Sequence, residues 1–454
     1  MTSLYHDRFA DVDRSSGRDV VRADLGGYAG RDAPHVELER IVIIDDYSMA
    51  RGGATTLSLL SARLFRQQGI SVTYICGDSG ANEELLAIGV DVVALGAQDL
   101  LNATKFKAVV NGVYNVAALR LLESWILQND TPNTAYHVHG WSKILSPAVF
   151  KALAGVARRC VVHAHDFFTA CPNGAFFDYQ AQHICHRRPL GLSCISTACD
   201  KRSYSHKLWR VARGSRITNL LTDNRDFGTI VLLHEKMASF LVQAGYEKER
   251  LVTIRNPVSV FSKNRIEAEN NSEFVFIGRM DEEKGIEDAI AAVEKAGARL
   301  CVIGDGPLRA KFSQSNPQIR FVGWQSHEEI GRIIQTASAL LMPSRYPEPF
   351  GLVAIEAARS GLPVIMSSSA FLAEEMVAAG IALSCDTKNI DVFSDVLQEF
   401  NDLASSQRRI MSERAFQYSQ PFALTQEQWR DALVREYCKL VEARVAPSTA
   451  SYIS

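Results

Sequence analysis

Residues 343–365 leave this chain few options. They read Pro-Ser-Arg-Tyr-Pro-Glu-Pro-Phe-Gly-Leu-Val-Ala-Ile-Glu-Ala-Ala-Arg-Ser-Gly-Leu-Pro-Val-Ile. The apolar run Ala339-Leu340-Leu341-Met342 before them has the length and composition of a buried parallel strand. Pro343, Pro347, Pro349 and Gly351 then force a loop, since proline removes backbone donors and fixes its own φ. Beyond Gly351 the spacing of Leu352, Ile355 and Glu356 is helical, and Ala357 and Ala358 are strong helix formers. Gly361 and Pro363 end that helix, and Val364-Ile365 begins another strand. Two carboxylates, Glu348 on the loop and Glu356 on the helix, therefore flank a helix N-terminus. The backbone N–H groups of Phe350, Gly351 and Leu352 are free there and suit a phosphate or a sugar hydroxyl. An ordinary strand–loop–helix with surface acids would use the same residues.

The same rhythm recurs upstream. Three strands are predicted to run straight into glycine: Glu273 to Ile277 into Gly278-Arg279, Arg299 to Ile303 into Gly304-Asp305-Gly306-Pro307, and Ile319 to Val322 into Gly323-Trp324. In a doubly wound sheet these ends form one crevice along the carboxyl edge. Arg279 and Lys284 would bring two cations to it, and a diphosphate is their natural partner; two surface cations beside a turn are the other reading.

The first half has a similar beginning. Arg40 to Asp45 reads as a buried strand, Tyr47 to Gly53 as a loop carrying Gly52-Gly53, and Leu57, Leu60 and Leu64 as one helical face. Further strands are expected at Ser71 to Cys76, Val90 to Leu95, Phe106 to Asn111, Thr134 to His139, Cys160 to His165, Thr229 to Leu233 and Leu251 to Ile254. Two of them end in His-x-His, which is open to two readings, metal ligands or packed strand residues. His165-Asp166-Phe167, at a strand end, is the best candidate for a polar site group in this half.

A chain of 454 residues is too long for one core and implies two or three domains. Its 47% hydrophobic and 22% charged content is ordinary for a globular protein, and a net charge of -2 excludes an electrostatic nucleic-acid binder. No apolar run approaches the length of a spanning helix, and the N-terminus lacks a signal-peptide pattern, so a cytoplasmic enzyme is expected. Residues 1–38 read as a flexible tail, Ser259 to Ser272 as an interdomain linker, and Thr425 to Val445 as an amphipathic helix, with frayed residues after 446.

Residues 171–216 break the pattern. Cys171, Cys185, Cys194 and Cys199 fall close together, either as a structural zinc site or as free thiols in a packed loop. Eight Lys or Arg lie between Arg187 and Arg216, with Leu208 and Trp209 among them. That segment would suit an anionic membrane surface, a groove for an anionic acceptor, or a solvated basic face.

Together these motifs resemble the retaining glycosyltransferases of family four. The resemblance rests on Asn256-Pro257-Val258, the run Gly278-Arg279-Met280-Asp281-Glu282-Glu283-Lys284-Gly285, Ile303-Gly304-Asp305-Gly306-Pro307, Phe321-Val322-Gly323-Trp324, and the Glu-x7-Glu pair Glu348 and Glu356. It implies an α/β GT-B fold, two Rossmann-like doubly wound domains facing across a cleft. The domains would span 39–257 on the acceptor side, with 171–216 as an insertion, and 258–420 on the nucleotide-sugar side. Residues 421–454 would return to pack on the first domain.

The resemblance further implies residue roles. Arg279 and Lys284 would hold the donor's phosphates, and Glu348 the transferred sugar. Phe350, Gly351 and Leu352 would offer N–H groups, Glu356 would bind the ribose, Gly53 would face the diphosphate, and His165 would lie near the reacting sugar. The expected activity is a hexosyltransferase that needs neither metal nor cofactor. Its donor would be a UDP- or GDP-sugar and its acceptor a saccharide or lipid-linked glycan, at the inner face of a membrane. A sucrose- or trehalose-type synthase and a non-catalytic sugar-nucleotide-binding protein are the alternatives.

Overall fold

The computed structural model describes residues 38–443, except 101, 103, 224–226 and 313–316. The expected tail and the residues after 446 lie outside this set, apart from Leu38. Arg40–Asp45 reads Arg-Ile-Val-Ile-Ile-Asp and is buried from Ile41 onward, as a central parallel strand requires. It sits third in a seven-stranded parallel sheet. The order is Asp91–Ala94, Ser71–Cys76, Arg40–Asp45, Thr134–Val138, Cys160–Ala164, Thr229–Leu232, Leu251–Thr253. The second sheet has six parallel strands in the order Ile319–Gly323, Arg299–Ile303, Glu273–Ile277, Ala337–Met342, Val364–Ser367, Ala382–Cys385. Both are flanked by helices, and the architecture is the two-domain α/β GT-B fold. Among the described residues no helix is long and apolar enough to cross a membrane.

Each strand order reverses beside its first strand in the chain, and that reversal opens a crevice at the carboxyl edge. Arg40–Asp45 and Glu273–Ile277 occupy these positions, so Gly53 and Gly278, just past them, belong to crevices. One apolar core runs between the two sheets, from Val42 and Val162 through Phe167 and Phe371 to Met342 and Ala354.

The C-terminal helix Gln426–Glu442 begins at Thr425, whose hydroxyl accepts from Gln428 N–H while the Gln428 side chain accepts from Thr425 N–H. Its Trp429, Leu433 and Tyr437 are fully buried with Ile41, Phe65 and Tyr74 of the first domain.

Two segments differ from expectation. Residues expected as a strand at Phe106 to Asn111 lie in the helix Lys105–Val113, with Val109 and Val110 exposed. A short apolar run does not distinguish helix from strand by itself. The segment read as a linker is pinned to the second domain. Phe261, Ile266 and Ala268 are buried, Phe261 N–H donates to Ser360 Oγ at 3.0 Å, and Arg265 reaches both Glu269 and Ser412.

Candidate active site

Lys284 ends a short 3-10 turn, Glu282–Lys284, whose Asp281 carboxylate accepts from Lys284 N–H at 3.3 Å. Gly285 follows with φ 69°, and a Cβ there would lie 2.0 Å from the carbonyl oxygen of Pro343. Only glycine meets both demands. Its close approach sets Lys284 beside the 343–351 loop. There Lys284 Nζ donates to Glu348 Oε2 at 2.6 Å and to the Tyr346 hydroxyl at 3.2 Å, and Ser344 Oγ donates to Glu348 Oε2 at 2.9 Å. Burial pushes the Glu348 carboxyl up, but the Lys284 charge and the hydrogen bonds from Lys284, Tyr346 and Ser344 outweigh it and hold the group below its usual range. Burial, then the Glu348 charge, push the Tyr346 phenol well up. The site therefore holds an ionised carboxylate, an ammonium and a neutral phenol.

Gly351, with φ 66°, caps the helix Leu352–Arg359, so the N–H groups of its first turn face the same space. Gly53 and His165 of the first domain form the opposite wall. A Cβ on Gly53 would stand 3.4 Å from Leu352 Cδ1, so the two domains nearly touch here. Gly53, His165, Lys284, Glu348, Phe350, Gly351 and Leu352 all line one cavity of ≈ 300 Å³.

A second cavity, of ≈ 230 Å³, shares Gly53, Ala54, His165 and Asp166 with the first and extends toward Asp45, Asp46 and Lys143. Asp46 is fixed by three backbone donors, Lys143, Ile144 and Leu145, at 2.7–2.8 Å. Asp45 Oδ2 is buried without a partner among the described residues, and burial pushes this carboxyl well up.

Seven of the nine residues expected in the site share the first cavity; Arg279 and Glu356 do not line it. The Arg279 side chain is 64% exposed and is held by Asp281 and Glu283. Glu356 lies 3.5 Å from His327 Nε2; burial raises its pKa while His327 acts against that. The His327 ring packs on Phe261 at 4.7 Å.

Sequence reasoning missed Tyr346, Ser344 and His327. Tyr346 and Ser344 sit inside the Pro-rich loop at two and four residues before Glu348, a spacing that lets them turn back onto its carboxylate. It also missed the bridge from the Cys-rich segment to the donor-side loop. Tyr179 OH and Lys201 Nζ donate to Glu283 Oε2 at 3.0 and 3.1 Å, and Gln182 Nε2 to Glu282 Oε1 at 2.6 Å.

Cys171, Cys185, Cys194 and Cys199 are all buried and line one small cavity together with Lys207. The Lys207 ammonium lies 3.1 Å from Cys199 Sγ and 3.4 Å from Cys194 Sγ. Among the described residues, possible metal ligands converge within 4.8 Å only as His137/His139/His163 and as His234/Glu235/Glu375, and neither group includes a cysteine.

The expected basic face is only partly a surface. On the helix Tyr204–Thr218, Lys207 and Arg213 fall on the inward face: Lys207 is fully buried and Arg213 packs 4.7 Å from the Trp141 ring. Arg210 pairs with the buried Asp200 at 3.1 Å. Composition counts charges, but the helical period decides which of them face in.

Residues 260–418 match the family described as glycosyl transferases group 1. Over 363 residues the chain is 26% identical to the glycogen synthase of Mycobacterium tuberculosis, a match covering 73% of this chain and 83% of that one. Among solved structures, HepE of Anabaena in complex with UDP and glucose superposes with a TM-score of 0.61 at 15% identity, over 87% of this chain and 98% of that one. WaaG, a glycosyltransferase involved in lipopolysaccharide biosynthesis, gives a TM-score of 0.62 at 15% identity, over 87% and 99%. Fold and sequence thus define the class, a GT-B protein homologous to sugar transferases. Its second domain carries the group 1 glycosyl transferase sequence.

Proposed function

We propose that this protein is a retaining glycosyltransferase of family four. It would move a hexosyl group from a UDP- or GDP-sugar to a saccharide or lipid-linked acceptor in building a surface polysaccharide or glycolipid. One observation carries the reading: Lys284, Glu348 and the N-terminus of Leu352–Arg359 converge on a cavity whose other wall is Gly53 and His165.

Departure of the nucleotide leaves negative charge on the diphosphate. Lys284 and the N–H groups at Gly351 and Leu352 line that cavity and would face the developing charge with little reorganisation. Arg279 would add a second cation on leaving Asp281 and Glu283. Glu348, kept ionised by Lys284, would accept hydrogen bonds from the hydroxyls of the moving sugar, and Glu356 would take the ribose. Retention would follow from attack on the same face of the ring, with the leaving phosphate taking the acceptor's proton. Positive charge supplied by the chain gives a divalent ion no required part in this scheme.

The second cavity meets the first at Gly53, His165 and Asp166, which suits an acceptor hydroxyl arriving beside the reacting carbon. Arg188, Arg202 and Arg216 remain exposed, as does Leu192 at 89%; they support contact with an anionic membrane surface on the cytoplasmic side. A soluble glucan or sugar acceptor is the second reading, favoured by the long similarity to a glycogen synthase. Incubation with UDP-, GDP- and ADP-sugars, with and without EDTA, tests the activity. Release of the nucleoside diphosphate that EDTA leaves unchanged is expected; turnover of none of them refutes the proposal.

A further inference from the structure

Lys207 is the fourth residue of the helix Tyr204–Thr218, and its side chain is fully buried. Among the described residues its nitrogen donates to two sulfurs, Cys199 Sγ at 3.1 Å and Cys194 Sγ at 3.4 Å, and to no carboxylate. An ammonium is costly to bury without an anion beside it, and a thiol is a weak acceptor. The nitrogen is therefore poorly compensated by hydrogen bonds alone.

Cys171, Cys185, Cys194, Cys199 and Lys207 wall a cavity of ≈ 10 Å³. That is room for about one water-sized atom. A metal ion would draw several sulfurs together, yet among the described residues no three of them lie within 4.8 Å of one another. The cysteines are also unpaired as disulfides. What the geometry offers instead is a nitrogen and a sulfur in contact, with space beside them for one small atom.

We propose that Lys207 and Cys199 form a covalent modification site, in which one oxygen atom joins Nζ to Sγ as a nitrogen–oxygen–sulfur link and dioxygen is the oxidant. The S–H bond and one N–H bond break, S–O and O–N bonds form, and the two hydrogens leave with the second oxygen atom as water. Sulfur and nitrogen each give two electrons, and dioxygen takes four. A thiolate and an ammonium hold the same atoms as a thiol and an amine, so the balance does not depend on where the proton sits. A cation beside a cysteine favours the thiolate, the form that oxidises. The link is neutral, so it removes the buried ammonium and fills the space beside it.

The Cys199 carbonyl accepts from Tyr179 N–H and from Asn173 Nδ2, each at 3.3 Å. Tyr179 and Lys201 in turn reach Glu283. The link therefore ties the helix Tyr204–Thr218 to the segment that grips the loop before Lys284. It does not rest on the proposed function, since it needs neither donor nor acceptor.

The test is peptide mass spectrometry on the full chain, purified in air, alkylated without reductant and digested with trypsin. Lys201 and Arg202 lie between Cys199 and Lys207, so cleavage puts the two on separate peptides, while Cys194 stays with Cys199. The expected product is those two peptides joined, uncut at Lys207, heavier than their sum by one oxygen and lighter by two hydrogens. Fragmentation should place the link on Cys199, and Lys207→Arg should abolish it. Alkylated Cys199 on a separate peptide from Lys207 overturns the proposal. So does a disulfide between Cys194 and Cys199, a link placed on Cys194, the same joined mass in Lys207→Arg, or a stoichiometric metal ion released from the cysteines. The wild-type digest decides even if the variant fails to fold.

Discussion

Lys284 Nζ and Glu348 Oε2 stand 2.6 Å apart, although 64 residues separate them in the chain. Each is delivered by the loop after a neighbouring strand of one sheet, Glu273–Ile277 and Ala337–Met342. The pair is partly buried, at 33% and 11% side-chain exposure. Neither charge is costless there without the other.

Lys284→Ala removes the leading favourable influence on Glu348, so its carboxyl rises as burial takes over, and the cation proposed to face the leaving diphosphate is lost. Loss of one such preorganised charge costs about 10²–10³-fold in turnover. We expect kcat/KM to fall by that order while far-ultraviolet circular dichroism is unchanged. Wild-type turnover in the variant would remove Lys284 from the mechanism.

Gly285→Ala tests how the pair is positioned. The new methyl would collide with the Pro343 carbonyl, and φ 69° is strained for alanine. The expected cost is about 1–3 kcal/mol in urea denaturation, together with weaker donor binding, because Lys284 must move with the turn. Unchanged stability would show that the loop yields freely.

Much of the second domain was legible in the sequence. Gly351 and the Pro-rich loop mark a helix start, and strands ending in glycine mark a carboxyl edge, since both depend on local chemistry. The placement of Lys207 and Arg213 was not legible, because a charge count carries no helical phase. Arg279 and Glu356 follow motif positions, yet the structure turns Arg279 to Asp281 and Glu283, and sets Glu356 beside His327. A motif names a residue without naming its rotamer.

The domains are also joined through Glu375, which accepts from His234 Nε2 at 2.7 Å and from Arg255 at 2.9 Å. Burial raises this carboxyl, but the His234 and Arg255 hydrogen bonds and the Arg255 charge overcome it and hold it at about 2. A depressed acid gives stability that is complete above its ordinary value of 4.5 and is lost as pH falls toward about 2. Glu375→Gln should melt below the wild type at pH 6, by scanning calorimetry, and the gap should narrow through that window. A gap that does not change with pH would mean that the contact is not ionic.

Trp429 is fully buried beneath the first sheet. Trp429→Ala should cost about 3–5 kcal/mol in chemical denaturation, the range for deleting a large buried aromatic side chain. A cost within experimental error would mean that the C-terminal helix is not part of the core.

The most direct test of the central claim is calorimetric titration of the full chain with UDP-, GDP- and ADP-sugars, repeated on Lys284→Ala and Glu356→Ala. Saturable one-to-one binding of a UDP- or GDP-sugar is expected. Lys284→Ala should weaken the intact donor and its nucleoside diphosphate but not the free nucleoside, and Glu356→Ala should weaken the nucleoside as well. No binding of any of them to the wild type, or binding that both substitutions leave intact, would contradict it.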